Sequence, residues 1–71
     1  MPYISIKITR EGATAEQKRR LIEGATQLMV DVLDKKPQQT FVVIEEIDTD
    51  SWGVAGETVT ELRRREAGAS D

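Results

Sequence analysis

Two strand-type stretches flank one long helical stretch, and this order constrains the fold more than any other feature of the chain. In the first stretch Ile4, Ile6 and Ile8 alternate with other residues, the period-two pattern of a half-buried strand. The second, residues 40–44, is β-branched and nearly continuously apolar, which suits a strand covered on both faces. Strand, helix and strand in this order predict a β-α-β unit whose two strands lie parallel.

The helical stretch is predicted to run over residues 14–34. Thr14 followed three residues later by Gln17 fits a capping box, in which hydroxyl and amide side chains bond to each other's backbone N–H groups. Apolar residues at three- and four-residue spacing form one stripe: Leu21, Ile22, Ala25, Leu28, Met29, Val32 and Leu33. Pro37 ends the helix, because the residue before a proline is disfavoured in the α region. Since strands flank it, we expect this helix to cover a sheet rather than a membrane or a partner helix.

Weaker signals follow from residue 45 onward. The acidic residues within 45–51 lack the glycine and the spacing of a calcium loop, so we interpret them as a solvated turn. The small residues within 52–57 predict a tight hairpin. Beyond it we expect a weak final element around Val59 and Leu62. The sequence predicts one folded domain over 1–64 and a disordered tail over 65–71.

Composition excludes several kinds of site and predicts self-association. A chain of 71 residues forms one domain, and a core of this size supplies roughly 3–5 kcal/mol of net stability. The sequence has no cysteine and no histidine, which excludes disulfides, the common zinc ligands and catalysis by either side chain. Self-association is the remaining way to stabilise so small a domain, so we expect a homo-oligomer.

Charge and hydropathy bear on partners and location. The formal net charge of −3 argues against nucleic acid as a partner, since binding to phosphates requires a basic face. No apolar run reaches the ~20 residues that span a bilayer, and the amino terminus has no signal-peptide pattern. We therefore expect no membrane partner and a cytoplasmic location.

Pro2 directly follows Met1, and methionine aminopeptidases act when the second residue is small, as proline is. The mature chain would then begin with the secondary amine of Pro2, held at the end of a strand. An α-amino group has a pKa of about 7.7–8.0, and apolar walls or nearby cations would lower it toward the range of a general base. From the residues alone the alternative stays open that Pro2 only permits methionine removal and begins an edge strand.

In order and spacing, these landmarks resemble the 4-oxalocrotonate tautomerase family. The matching features are Met-Pro before an alternating strand, Glu16-Gln17-Lys18 opening a long helix, a proline after that helix, a Val/Ile strand ending in Glu46, and the aromatic-Gly-x-x-Gly-Glu pattern of 52–57. The resemblance covers about residues 2–64. It implies an α+β fold, with a single β-α-β unit of parallel strands plus a C-terminal hairpin, assembled as a hexamer built from three dimers.

The resemblance also implies an activity. In this family the amino-terminal proline moves a proton in an enol or dienol carboxylic acid, such as 2-hydroxymuconate or phenylenolpyruvate, and no cofactor or metal takes part. Carried over, Pro2 is the catalytic base and then the acid, and the ring of Trp52 helps to desolvate its amine. The competing hypothesis is a non-catalytic oligomeric relative that binds a ligand or a partner protein.

Two departures from the family pattern concern substrate binding. Arg10 lies slightly before the position of the family's loop arginine, and its guanidinium is expected to bind a substrate carboxylate in bidentate fashion. Phe41 stands where the family's reference enzyme has an arginine early in its second strand. We therefore expect Phe41 and Trp52 to bind the substrate together with Arg10, and we expect that substrate to be a monoacid or a more apolar acid. Arg63 or Arg64 of a neighbouring copy is an alternative source of the missing cation.

Overall fold

The computed structural model describes residues 1–69 of the chain. Short 3₁₀ turns at Pro37–Gln39 and Thr49–Ser51 precede and follow the second strand. The regular elements in chain order are β1 (Tyr3–Thr9), α1 (Ala15–Leu33), β2 (Phe41–Ile47), β3 (Gly53–Val54), β4 (Glu57–Thr58) and α2 (Val59–Ala69).

Strands β1 and β2 pair in parallel, with Tyr3 opposite Phe41 at one end and Thr9 opposite Ile47 at the other. The crossover between them is α1, so the predicted β-α-β unit is confirmed.

The predicted capping box at the start of α1 is also confirmed. The backbone N–H of Gln17 donates to the Thr14 hydroxyl at 3.1 Å, and the N–H of Thr14 donates to the side-chain oxygen of Gln17 at 2.9 Å. At the other end Asp34 adopts a left-handed conformation with φ 55°, and its N–H donates to the Val30 carbonyl. These contacts satisfy backbone groups that helix ends otherwise leave without partners.

Helix α1 covers one face of the sheet and leaves the other open. The covered face carries the half-buried Ile4, Ile6, Ile8, Val42, Ile44 and Glu46, whereas the open face carries the exposed Tyr3, Ser5, Lys7, Phe41, Val43 and Glu45. An ion pair of 2.7 Å joins Lys18 of α1 to Glu46. In a single chain β2 is therefore covered on one face only, unlike the two-sided burial that its sequence predicts.

The carboxyl end of β2 agrees with the family resemblance rather than with composition alone. Composition places Glu45 and Glu46 in a turn and the resemblance ends the strand at Glu46, whereas β2 ends at Ile47 and only the residues after it form the expected turn. The reason is that the period-two pattern continues through the acidic residues: Glu46 reaches the helix and Lys18, while Glu45 lies on the open face.

The predicted hairpin is confirmed by β3 and β4, which pair antiparallel with Val54 opposite Glu57. Its two turn residues, Ala55 and Gly56, have φ values of 53° and 83°. Positive φ at both positions is the pattern of a type I′ turn, whose twist matches that of the strands, and glycine adopts it without strain.

Helix α2 corrects the prediction of a disordered tail. It continues through Ala69, so residues 65–69 are helical, while residues 70 and 71 of the predicted tail lie outside the described residues. The helix has a weak apolar pattern and is supported instead by charge pairs: Arg65 contacts Glu57 at 2.6 Å and Arg64 contacts Glu61 at 3.5 Å. Of these two pairs only Arg64 and Glu61 stand at helical spacing, whereas the contact of Arg65 joins the helix to β4, so hydrophobic periodicity does not reveal how far the helix extends.

The single chain is extended and buries little. Its radius of gyration is 16.2 Å, whereas a compact domain of this length has a value of about 11 Å. Among the described residues only Val59 is a buried apolar side chain, with 5% exposure. Large apolar side chains on α1 and on the open sheet face stay uncovered, among them Tyr3, Leu28, Val32 and Phe41. None of the helices within residues 1–69 has the length and apolar content to cross a membrane.

Candidate functional site

Pro2 lies at the amino end of the sheet, half-exposed. Its carbonyl accepts a hydrogen bond of 3.0 Å from the backbone N–H of Phe41. Because β1 and β2 are parallel, both strands begin at this edge, and Phe41 is the first residue of β2. The sheet therefore fixes the backbone of Pro2 and brings Phe41 next to it.

Arg10 and Trp52 lie at the opposite edge of the sheet. Arg10 directly follows β1, and its backbone N–H donates to the Ile47 carbonyl at 2.8 Å. Trp52 follows the 3₁₀ turn after β2, and its carbonyl accepts from the Val59 N–H at 2.8 Å. A strand rises about 3.3 Å per residue, which separates Arg10 from Pro2 by roughly 25 Å. A single copy therefore does not bring the four predicted site residues together.

The Arg10 guanidinium is engaged within its own chain. Its Nε donates to Oδ1 of Asp48 at 2.9 Å, and Nη2 donates to the backbone carbonyl of Glu46 at 3.1 Å. The side chain remains 59% exposed. To bind a carboxylate in bidentate fashion, Arg10 must give up or share its contact with Asp48.

The two arginines considered as replacements also have partners. Arg63 donates from Nε to Oε1 of Glu11 at 2.8 Å, and Arg64 pairs with Glu61. The hydrogen bond from Arg63, aided by one from the Thr9 hydroxyl, lowers the pKa of Glu11 to about 2. The contact joins α2 to the loop after β1, which carries Arg10.

A groove on the open sheet face contains a residue that the sequence analysis missed. It encloses about 270 Å³ and is lined by Lys7, Ile47, Ser51, Trp52 and Gly53. In the described part of the chain, the Lys7 ammonium makes no hydrogen bond or ion pair. The available signal was the position of Lys7 on the polar side of the β1 alternation. The period alone does not show that Trp52 folds back beside it.

A second, larger groove lies elsewhere. It encloses about 510 Å³ beside the first turns of α1 and is lined by Ala13, Gln17, Arg20 and Leu21. It contains none of the predicted site residues. Within residues 1–69 no cluster of three acidic side chains is close enough to hold a metal ion.

Known proteins match this chain over most of its length. A family described as "Tautomerase enzyme" matches residues 2–62. The probable tautomerase K2 of Dickeya dadantii is 55% identical over 65 residues, which cover 92% of this chain and 97% of that protein. The 2-hydroxymuconate tautomerase of Bacillus subtilis is 36% identical over 62 residues, covering 87% and 98%.

A solved structure gives the same result for the fold. The crystal structure of DmpI from Helicobacter pylori matches with a TM-score of 0.85 at 46% identity, covering 89% of this chain and 97% of that one. The match includes the parallel β-α-β unit and most of the chain beyond it, and these relatives indicate an isomerase-type enzyme. The chain belongs to the tautomerase family.

Proposed function

We propose that this chain is a cofactor-free tautomerase that moves a proton in an enol or dienol carboxylic acid, with Pro2 as the base and then the acid. The observation that carries the proposal is the position of Pro2 directly before β1, with its backbone held by the 3.0 Å bond from Phe41. Met1 must be removed, because the nitrogen of a Met-Pro peptide bond has no basic lone pair. The 2-hydroxymuconate tautomerase among the relatives supports a dienol acid as the substrate class.

The chemistry needs only one amine. Neutral Pro2 takes a proton from the substrate, the electron pair spreads through the conjugated enolate, and the Pro2 ammonium returns the proton to a carbon. The product is the keto acid, and the amine is neutral again. Apolar neighbours favour the neutral form by disfavouring the charge, and Phe41 and Trp52 are the aromatic candidates for this role.

A complete site requires more than one copy. Arg10 of one copy lies roughly 25 Å from Pro2 of the same copy. Trp52 lies beside Lys7, about 17 Å along β1 from Pro2 at about 3.3 Å per residue. The arginine and the aromatic ring that serve Pro2 therefore come from a neighbour. Association would bury the uncovered apolar side chains towards the amino end of the open sheet face and on α1, such as Tyr3, Phe41 and Leu28. The assembly is a homo-oligomer, and a hexamer built from three dimers is the arrangement we propose.

Subunit mixing tests this arrangement. Copies carrying Pro2→Ala and copies carrying Trp52→Ala are each expected to be impaired. Unfolding and refolding them together creates sites that combine an intact Pro2 with a neighbour's intact Trp52, so the mixture regains activity that neither parent has. No recovery in mixed oligomers, verified by mass under native conditions, contradicts a site shared between copies. Light scattering during gel filtration gives the number of copies.

The role of Pro2 is tested by turnover. Alanine is also small enough to permit methionine removal, so Pro2→Ala replaces a secondary amine by a primary one at the same place. Without the ring the remaining amine can rotate and is no longer held towards the substrate, so we expect turnover to fall by about 10²-fold, the scale of general-base catalysis. Turnover is measured by the absorbance change of 2-hydroxymuconate and of phenylenolpyruvate. The matched control is the unchanged sequence with Met1 retained, confirmed by intact mass, which we expect to be inactive. Full turnover in either protein contradicts the proposal.

The alternative is a non-catalytic relative that binds a ligand or partner. It is favoured by the contact of Arg10 with Asp48 and by the absence of an arginine at the start of β2, where Phe41 stands. Binding of acids by an intact oligomer that turns over neither substrate would identify this second function.

A further inference from the structure

We propose that Lys7 and Trp52 together form a subsite for the carboxylate end of a small conjugated acid. Lys7 supplies the cation, and the Trp52 ring supplies a flat apolar wall for the carbon chain. The inference rests on the proposed function for the identity of the acid, but binding at this subsite does not require turnover.

The groove brings the two residues together from distant parts of the sequence. Lys7 belongs to the exposed side of β1, and Trp52 reaches the same groove after the 3₁₀ turn that follows β2. Ile47 adds a second apolar wall and Ser51 adds a hydroxyl. Its volume of about 270 Å³ lies just below the usual range for ligand pockets, about 300–1,000 Å³, which favours a small ligand.

Lys7 differs from the cations nearby because its ammonium has no ion-pair partner within residues 1–69. Arg10 contacts Asp48, and Lys18 contacts Glu46. The register places Glu45 of β2 opposite Lys7 on the open face, but no ion pair joins them. An arriving carboxylate therefore gains a charge-assisted hydrogen bond from Lys7 without first breaking one.

The apolar neighbour adds selectivity. Next to an indole ring an ion pair is less exposed to water than on an open surface, so each contact between charges is stronger. A planar conjugated chain also offers its face to the ring. The combination selects acids that carry a carboxylate on a flat unsaturated chain over saturated acids and over neutral analogues.

The test uses Trp52 as its own reporter, since it is the single tryptophan of the chain. The probe is sorbate, a conjugated monocarboxylate that lacks the enol hydroxyl, and the matched neutral probe is sorbamide. Each is titrated against the assembled protein while the Trp52 fluorescence is followed. The variants are Lys7→Gln and the control Lys35→Gln, which removes a lysine beyond the end of α1 that has no ion pair within residues 1–69.

We expect Lys7→Gln to weaken sorbate binding by about 10-fold, the usual scale for one hydrogen bond to a charged group, and to leave sorbamide binding unchanged. Lys35→Gln should match the wild type, and Lys7→Arg should restore most of the affinity for sorbate. Three outcomes overturn the proposal: no saturable sorbate binding to the wild type, equal losses in Lys7→Gln and Lys35→Gln, or an equal loss for sorbamide. Circular dichroism and gel filtration establish that each variant is folded and assembled.

Measurements of turnover and of sorbate binding distinguish the Lys7 subsite from the catalytic role of Pro2. With the subsite intact and only the proline ring removed, Pro2→Ala should bind sorbate like the wild type. With the base intact, Lys7→Gln should raise KM for 2-hydroxymuconate more than it lowers kcat. Normal turnover by Pro2→Ala overturns the catalytic proposal alone, whereas wild-type affinity in Lys7→Gln overturns the subsite alone.

Discussion

Truncating Val59 to alanine should destabilise the protein more than any comparable change on its surface. Val59 is 5% exposed at the junction of the hairpin and α2, and its N–H donates to the Trp52 carbonyl. Two methyl groups at about 0.8 kcal/mol each give about 1.6 kcal/mol of lost burial. The cavity left behind adds to this and the better helix propensity of alanine offsets part of it, so we expect about 2 kcal/mol in total.

Urea unfolding followed by Trp52 fluorescence and by circular dichroism measures this loss. Protein concentration must be equal for all variants, because association contributes to the apparent stability. For a domain of this size the same loss lowers Tm by about 8–15 °C. The control is Val54→Ala in β3, where the side chain is 48% exposed and lies outside the apolar surfaces of α1 and of the parallel sheet. A loss in Val54→Ala as large as that in Val59→Ala would refute the assignment of the core to Val59.

Two further predictions concern the start of α1 and the loop after β1. Thr14→Ala removes the acceptor of the capping box and should cost about 1 kcal/mol in urea unfolding, whereas Thr14→Ser keeps the oxygen and should cost little. Glu11 should titrate near pH 2 in an NMR experiment, and Arg63→Gln should return its pKa toward 4.5. The pKa of the Glu11 carboxyl is lower in the folded protein than the 4.5 of the unfolded chain. The contact with Arg63 therefore stabilises the fold above pH 4.5, and this stabilisation is lost as the pH falls toward 2. A titration midpoint that Arg63→Gln leaves unchanged would contradict the contact.

Much of the β-α-β unit could be predicted because its signals are local. The alternation around Ile6 and the spacing of Thr14 and Gln17 depend on residues close in sequence, and both interpretations are confirmed. Composition placed Glu45 and Glu46 in a turn, and only the family resemblance extended the strand to Glu46, because an acidic residue on a covered face requires a cation from another element. Lys18 provides it from 28 residues away, and sequence spacing gives no sign of that pairing.

The site could be predicted less well because it depends on contacts between distant segments. The resemblance predicted four site residues. In a single chain Pro2 and Phe41 lie where the parallel strands begin, whereas Arg10 and Trp52 follow the points where these strands end. A weak final element was expected around Val59 and Leu62, but the continuation of α2 through Ala69 was not, because no apolar stripe marks the residues beyond Leu62. Lys7 gained significance only from its position beside Trp52, which the turn after β2 determines.

The most direct test of the central claim is a pH titration of the Pro2 nitrogen in the assembled protein, followed by ¹⁵N NMR. The account predicts a chain that begins at Pro2 and an amine that titrates below the ordinary α-amino range of about 7.7–8.0, because apolar neighbours disfavour its charge. An amine that titrates within that range, or a nitrogen that does not titrate because Met1 is still attached, would contradict it.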